Sequence, residues 1–342
     1  MEDILSHLQF FIHNDTVIDI IEEKNSISGR YYFDEQTDET LISSKFKPDN
    51  RILKYKGLNF RRFENLQSLD ISNCNLQTLD VLSLSLVYLN CSNNNLDVLS
   101  VPKTLKTLNC ENNNLSNLPE CPGLETVYCN NNIITKINCT FSFLKCSFNQ
   151  INEIKGGSSL KYLDCRFNQL VDLPDISEAV YLNCGMNYIE TIPDNAHNLK
   201  TLIAYGNRLY SLPDIEMLSE LDCSDNEINI LPNFKSIVKL ICENNNITSI
   251  GNFHNLLVLR CSNNYITYLP ECLSGLQILN CSKNRILRLP ENMTNLVYLD
   301  CSRNRIRKLP QNLSSLCSLY CYKNKIKTIP VYIKNINILK NN

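Results

Sequence analysis

Residues 296–310 read LVYLDCSRNRIRKLP, and the spacing within that stretch decides the fold. The frame is Leu296-x-x-Leu299-x-Cys301-x-x-Asn304-x-Ile306-x-x-Leu309-Pro310. Twenty residues earlier it returns as Leu276, Leu279, Cys281, Asn284, Ile286, Leu289 and Pro290. Twenty residues later it returns as Leu316, Leu319, Cys321, Asn324, Ile326, Ile329 and Pro330. Self-similarity at a fixed short period marks a solenoid, in which each unit packs only on its neighbours.

Followed in both directions, the frame starts at Leu66, Leu86, Leu105, Leu124, Phe141, Leu160, Ala179, Leu199, Leu218, Ile237, Leu256, Leu276, Leu296 and Leu316. That is fourteen repeats, most of 19 or 20 residues; the one from Leu124 to Phe141 has 17. A partial fifteenth carries Ile336 and Leu339. Residues 61–342 are therefore expected to form one repeat solenoid. A chain of 342 residues exceeds what one compact core usually serves, and a repeat array avoids that limit.

Each frame position has a physical role. Leu-x-Cys alternates inward and outward, so it reads as a strand of about four residues. Successive strands lie side by side as a parallel sheet. The Asn follows at a tight turn in thirteen of the fourteen repeats, with Cys74 in its place in the first. An amide carries both a donor and an acceptor, which suits it to pair the buried backbone of such a turn, coil to coil. Nine repeats then end in Pro after the inward Ile/Leu. Proline cannot extend a ladder, and few residues remain before the next strand. The far side should be extended or a 3-10 turn, not a full helix.

This frame resembles the leucine-rich repeat family, over residues 66 to 330. The resemblance implies an α/β-type repeat solenoid: a leucine-rich repeat horseshoe with a concave parallel β-sheet and a mostly non-helical convex side. It also implies a role in binding other proteins. The short period and the Leu-Pro ending are similar to the 19–20-residue class of bacterial effectors and large DNA virus proteins. The Asn-, Ile-, Lys- and Tyr-rich usage fits an AT-rich genome, as of a virus or a protist; with the class resemblance, a host-interaction role is one expectation. Cysteine at the second inward strand position departs from the commoner Leu or Val. A ligase domain follows the repeats in some bacterial effectors; here the chain ends at Asn342, and the resemblance carries no such activity over.

Residues 1–60 stand outside the frame and read as an N-terminal cap, since solenoid ends expose a hydrophobic cross-section. Ile4, Leu5, Leu8, Phe11 and Ile12 fit one face of a short helix over Glu2–Ile12. Val17, Ile18, Ile20 and Ile21 extend that helix or form a strand. Ile52–Phe63 has the look of a degenerate first coil. A small independent module is the other reading of this segment.

Composition narrows the function. The net charge is -2, so no global field favours nucleic acid or a membrane. The acidic start Met1-Glu2-Asp3 has no basic and apolar leader behind it. No apolar run approaches the ~20 residues that span a bilayer. A reducing, cytoplasmic setting is expected, with the 17 cysteines as thiols.

Twelve of those cysteines share one frame position: Cys91, Cys110, Cys129, Cys146, Cys165, Cys184, Cys223, Cys242, Cys261, Cys281, Cys301 and Cys321. Ile71 and Ala204 fill the slot in the other two repeats, so it asks for a small buried hydrophobe. Parallel side chains about 4.8 Å apart suit neither a disulfide nor a metal ladder. His7, His13, His197 and His254 stand in no fixed relation to a nucleophile, and phosphate-loop and zinc-protease motifs are absent. No enzyme activity, cofactor, metal or small-molecule substrate is expected.

A partner should sit on the outward strand positions. Tyr128, Phe143, Tyr162 and Tyr181 fall in four consecutive repeats and form the first candidate patch, with Tyr298 and Tyr320 further on. Beside the Asn turn, Arg303, Arg305, Lys323 and Lys325 head a basic ridge with Lys283 and Arg285. It reads first as solvated charge over the last coils; as a docking ridge it would take an acidic protein, a phosphate-bearing ligand or nucleic acid, the last ranked low because no aromatics interleave on it. The expected function is a non-enzymatic scaffold that binds a protein on the concave sheet. The alternatives are a self-associating structural protein and a regulator that occludes an enzyme.

Overall fold

The structure, a computed structural model, describes residues 67–328 apart from 80 and 83, residue 330, and the backbone of six further strands. The chain divides into two compact units, residues 1–160 with 167–169 and residues 161–166 with 170–342. Each is built of stacked coils around a parallel sheet.

The first unit opens with β1 (Leu8–His13), β2 (Thr16–Ile21), β3 (Ser26–Ser28), β4 (Arg30–Phe33) and β5 (Thr40–Ser43). Its repeats contribute β6 (Ser68–Asp70), β7 (Tyr88–Asn90), β8 (Thr107–Asn109), β9 (Thr126–Tyr128), β10 (Lys136–Cys139), β11 (Phe143–Lys145) and β12 (Glu153–Gly156). The main sheet runs β3-β6-β7-β8-β9-β11, all parallel. In the second unit each repeat supplies one strand: β13 (Tyr162–Asp164), β14 (Tyr181–Asn183), β15 (Thr201–Ile203), β16 (Glu220–Asp222), β17 (Lys239–Ile241), β18 (Val258–Arg260), β19 (Ile278–Asn280), β20 (Tyr298–Asp300), β21 (Ser318–Tyr320) and β22 (Asn337–Leu339). These pair in sequence order, parallel throughout.

The repeat strands of the main sheets are three residues long, one shorter than the spacing suggests, and their middle residue is buried in every case from Leu69 to Leu319. The frame's other apolar positions close behind it. Leu296, Leu299, Cys301 and Ile306 are all fully buried. The Cys slot is a core slot: Ile71, Cys91 and Ala204 alike have no exposed surface.

The Asn column works as its chemistry predicts. The Asn94 amide donates to the carbonyls of Ile71 and Cys91, both at 2.9 Å. Its carbonyl accepts from the backbone N–H of Cys74 at 3.0 Å and of Leu76 at 2.9 Å. One side chain thus closes its own turn and the turn of the coil before it. The pattern repeats at Asn113, Asn132, Asn226, Asn264 and Asn304.

The far side of the coils is non-helical among the described residues. Two repeats differ from the rest there. Nine repeats have proline in the slot after the inward Ile/Leu and five do not (Asp80, Ser100, Asn138, Lys155 and Gly251); the repeats with Asn138 and Lys155 are the two whose segments pair. With the backbone N–H restored, the two segments pair as β10 and β12, a second parallel sheet with Asn138 opposite Lys155. Lys136 bridges its cross-strand partner Glu153 at 2.9 Å.

The short helix expected over Glu2–Ile12 is not what forms at its described end. Residues 8–13 are strand β1, paired antiparallel with β2 from Leu8–Ile21 to His13–Thr16. The segments are rich in aromatic and β-branched residues, and Asn14-Asp15 between them has turn composition. That outweighs the helical spacing. The degenerate coil at Ile52–Phe63 lies outside the described residues.

Candidate protein-binding surface

The side chains that leave a sheet face come from the first and third positions of each strand, on either side of the buried middle residue. The two positions have different fates. The third is often spent on the fold. Asp70, Asn90, Asn109, Asp222 and Asp300 each accept a hydrogen bond from the backbone N–H two residues on, at 2.9–3.2 Å. This is the local turn that short Asp and Asn side chains favour. Asp164 and Asn183 are buried outright. These positions count as outward by alternation alone, yet they cap turns and leave the first position to carry the surface.

Aromatics from both positions pair across adjacent coils: Phe143, Tyr162, Tyr181 and Tyr298 are first in their strands, Tyr128 and Tyr320 third. In the first unit the Tyr128 and Phe143 rings lie 5.3 Å apart and tilted, with the Lys145 ammonium 5.7 Å from both centroids. In the second unit Tyr162 and Tyr181 stack at 4.3 Å with 2° between their planes. Further along, Tyr298 and Tyr320 lie 5.6 Å apart. All six side chains are half-buried, each ring shielding its neighbour. Burial, and then the adjacent Tyr181 phenol, push the ionisation of Tyr162 up. Burial and Asp300 do the same at Tyr298. These phenols stay neutral over the physiological range and offer O–H groups beside flat apolar faces, the mixed character found at protein contacts. The four residues Tyr128, Phe143, Tyr162 and Tyr181 resolve into one pair in each unit.

The basic ridge also assembles, in the second unit. Lys283 donates its backbone N–H to Ser302, and Arg303 to Tyr322, so this column stacks in step with the coils. Arg285, Arg305 and Lys325 form a parallel column through bonds to Ile266, Ile286 and Ile306. Arg285 lies over the Tyr265 ring at 4.6 Å, and Arg303 over Tyr322 at 5.9 Å. Among the described residues, no carboxylate is within ion-pair distance of Arg303, Arg305, Lys323 or Lys325. Aromatics do interleave with these cations, contrary to the expectation from the strand frame. Tyr265 and Tyr322 sit in the turn, outside the strand positions.

One feature of this turn escapes the frame altogether. The residue before the ladder Asn has a left-handed backbone, from Asn93 (φ 57°) through Asn112, Asn131, Asp225, Asn244 and Asn263 to Lys323 (φ 52°). Asn, Asp and Gly are the residues that tolerate this conformation. Phe148 and Phe167 hold it in the first unit at φ 55°, and Met186 in the second at φ 56°. Phe148 stacks on Phe167 at 4.3 Å while 47% exposed. A bulky residue held in that region is strained, and such strain gathers at functional places. The signal was present in the sequence as Phe, Phe and Met one step before Asn149, Asn168 and Asn187.

The cysteine column offers no reactive group. All seventeen positions fall among the described residues from Cys74 to Cys321 and none is in a disulfide; the twelve of the column are buried, while Cys272 is half-buried and Cys317 exposed. Burial pushes the Cys91 and Cys184 thiols up to about 12. A neutral, enclosed thiol is neither nucleophile nor ligand. Among the described residues no group of three His, Cys, Asp or Glu comes together to hold a metal.

Comparison with known proteins agrees with the coil geometry. The Leucine Rich Repeat family model matches residues 65–85 and 295–316. A sequence search of curated proteins gave no match. Among solved structures the chain is similar to YopM from Yersinia enterocolitica WA-314, at 25% identity and a TM-score of 0.70, over 81% of this chain and 69% of that one. It is also similar to YopM of Yersinia pestis, described as a leucine-rich effector protein, at 27% identity and a TM-score of 0.71, over 82% and 84%. A functional domain of InlJ from Listeria monocytogenes, described as including a cysteine ladder, shares the fold at 24% identity and a TM-score of 0.64, over 81% and 69%.

Proposed function

We propose that this leucine-rich repeat solenoid is a non-enzymatic scaffold that binds another protein on its sheet face. Solenoids of this kind commonly present extended surfaces to protein partners. The observation that carries the reading is the Tyr162–Tyr181 stack, two tyrosines parallel at 4.3 Å on adjacent strands and open to solvent on one side. Tyrosine is enriched in interface centres because it gives large contact area at low entropic cost. The Tyr128–Phe143 and Tyr298–Tyr320 pairs extend the same surface chemistry within their units. Arg303, Arg305, Lys323 and Lys325 form a second contact, for an acidic segment of the partner. The likeness to a leucine-rich effector protein supports a protein as the ligand. The enclosed thiols of the twelve-residue cysteine column suit a reducing, cytoplasmic setting.

The test is capture of partners from the native cell by the whole chain, identified by mass spectrometry. Tyr162→Ala with Tyr181→Ala should remove the principal partner while the coil spectrum is unchanged. An unaltered partner list would sink the reading.

Self-association is the second reading. β22 is an outermost strand of its sheet, and an open strand edge is a template for pairing. Sedimentation that shows only monomer at high concentration removes it.

A further inference from the structure

A second candidate site lies on the first unit, away from the main sheet. The edge of the small β10–β12 sheet opens onto a groove of about 600 Å³, lined by Leu118–Pro122 on one wall and by Lys136–Asn138, Thr140 and Phe141 on the other. That volume is within the ~300–1,000 Å³ of ligand-binding clefts.

The groove follows from the sequence. The repeat starting at Leu124 is two residues shorter than the one starting at Leu105, so its far side steps inward. On one wall Pro119 and Pro122 have no N–H to give. On the other, the proline slot holds Asn138. The Cys139 carbonyl accepts from Gly157 at 3.1 Å, and the Thr135 carbonyl from Asn152 at 3.0 Å. Backbone groups alternate sides along a strand. Thr135, Ile137 and Cys139 therefore turn theirs towards β12, and Lys136 and Asn138 turn theirs towards the groove. Ile137 and Phe141 are buried at its base, and Cys121 is buried in the opposite wall.

We infer that this groove takes an extended peptide, which adds to the free edge of β10 as a third strand. The main-chain groups of Lys136 and Asn138 supply the ladder, and the apolar lining takes alternate side chains. Charge selects the occupant. Lys136 is already neutralised by Glu153 at 2.9 Å. Glu120 lines the groove with no ion-pair partner among the described residues. The peptide accordingly carries a lysine or arginine opposite Glu120.

The probe is a labelled, end-blocked peptide, Thr-Val-Lys-Val-Thr, titrated against the whole chain by fluorescence anisotropy. Saturable binding is expected. N-methylation of the backbone amides along one edge of the peptide should weaken it about tenfold, the scale of a lost backbone hydrogen bond, and along the other edge should not. Replacing its lysine by glutamate should weaken it as well. Asn138→Pro removes the outward N–H and installs the residue most repeats carry there, so it should abolish the tight mode with the melting temperature kept. Three outcomes overturn the inference: no saturation at millimolar peptide, equal loss from both N-methylated edges, or a folded Asn138→Pro that binds as before. Should Asn138→Pro fail to fold, the N-methylated pair decides alone. A wild-type dimer that Asn138→Pro converts to monomer would make the occupant a second copy, and overturns it too.

Discussion

Asn245 donates an amide hydrogen to the carbonyl of Cys223, one coil earlier, at 2.9 Å. The same side chain accepts from the backbone N–H of Ile228 at 3.0 Å. It is buried, so water cannot replace either bond. Besides the sheet ladder, each coil is thus tied to the previous one through one such side chain. Asn245→Ala should lower stability by at least about 2 kcal/mol, the penalty for leaving buried backbone groups unpaired. Asn255→Ala, whose exposed side chain bonds Lys235 at 3.2 Å, should stay within about 0.5 kcal/mol. Urea midpoints of the two variants check this.

The buried thiols predict alkaline unfolding. Burial raises Cys91 and Cys184 from the ordinary 9.0 to about 12. The folded chain therefore holds thiol protons that the unfolded chain releases. Stability is at its full value below pH 9 and falls as pH rises towards 12. Urea midpoints at pH 8 and pH 10.5 should show the drop. Cys91→Ala with Cys184→Ala should shrink it, because Ala204 already fills the same slot with no exposed surface.

The left-handed turn position predicts a stabilising change. Asn263 donates to the side chain of Asn244 at 2.8 Å, and Asn244 to Asp225 at 2.7 Å. Lys283 comes next in that column at φ 54°. Lys283→Asn relieves the conformation and extends the side-chain chain. A gain of about 0.5–1 kcal/mol is expected, read as a higher thermal midpoint. Asn263→Val, β-branched at positive φ, should move the midpoint down.

The second sheet predicts an asymmetry between two prolines. Asn138 and Lys155 face each other across β10 and β12. Asn138 turns its N–H away from β12, whereas the alternation set by the Gly157–Cys139 bond turns that of Lys155 towards β10. Lys155→Pro should destabilise by about 3 kcal/mol by breaking the ladder, and Asn138→Pro by far less. Hydrogen exchange at Gly157, whose N–H bonds the Cys139 carbonyl, would register the loss.

Much of this molecule was legible beforehand. The buried middle of every described repeat strand, the Asn column and the Cys slot follow from spacing and side-chain chemistry, because a repeated unit meets the same neighbours each time. The exceptions are places where neighbours intervene. Leu8–His13 has helical spacing, but a β-branched segment lies beside it and the pair becomes a hairpin. Asp164 and Asp300 are outward by alternation, yet the turn that follows claims their carboxylates. The aromatic patch reads as four consecutive residues in sequence and resolves into stacked pairs in space.

The sequence by itself determined the coil: its period, its inward set, the residue that ties each turn to the last, and the absence of room for a helix on the far side. These depend on contacts within one unit and its neighbours, which the frame repeats. Only the tertiary structure decided what the non-repeating residues do. It turned third-position carboxylates into caps, held Phe148 and Phe167 open in a strained turn, and made a sheet edge and a groove where two prolines are missing. Such outcomes depend on which side chain stands opposite which, and a one-dimensional frame does not carry that information.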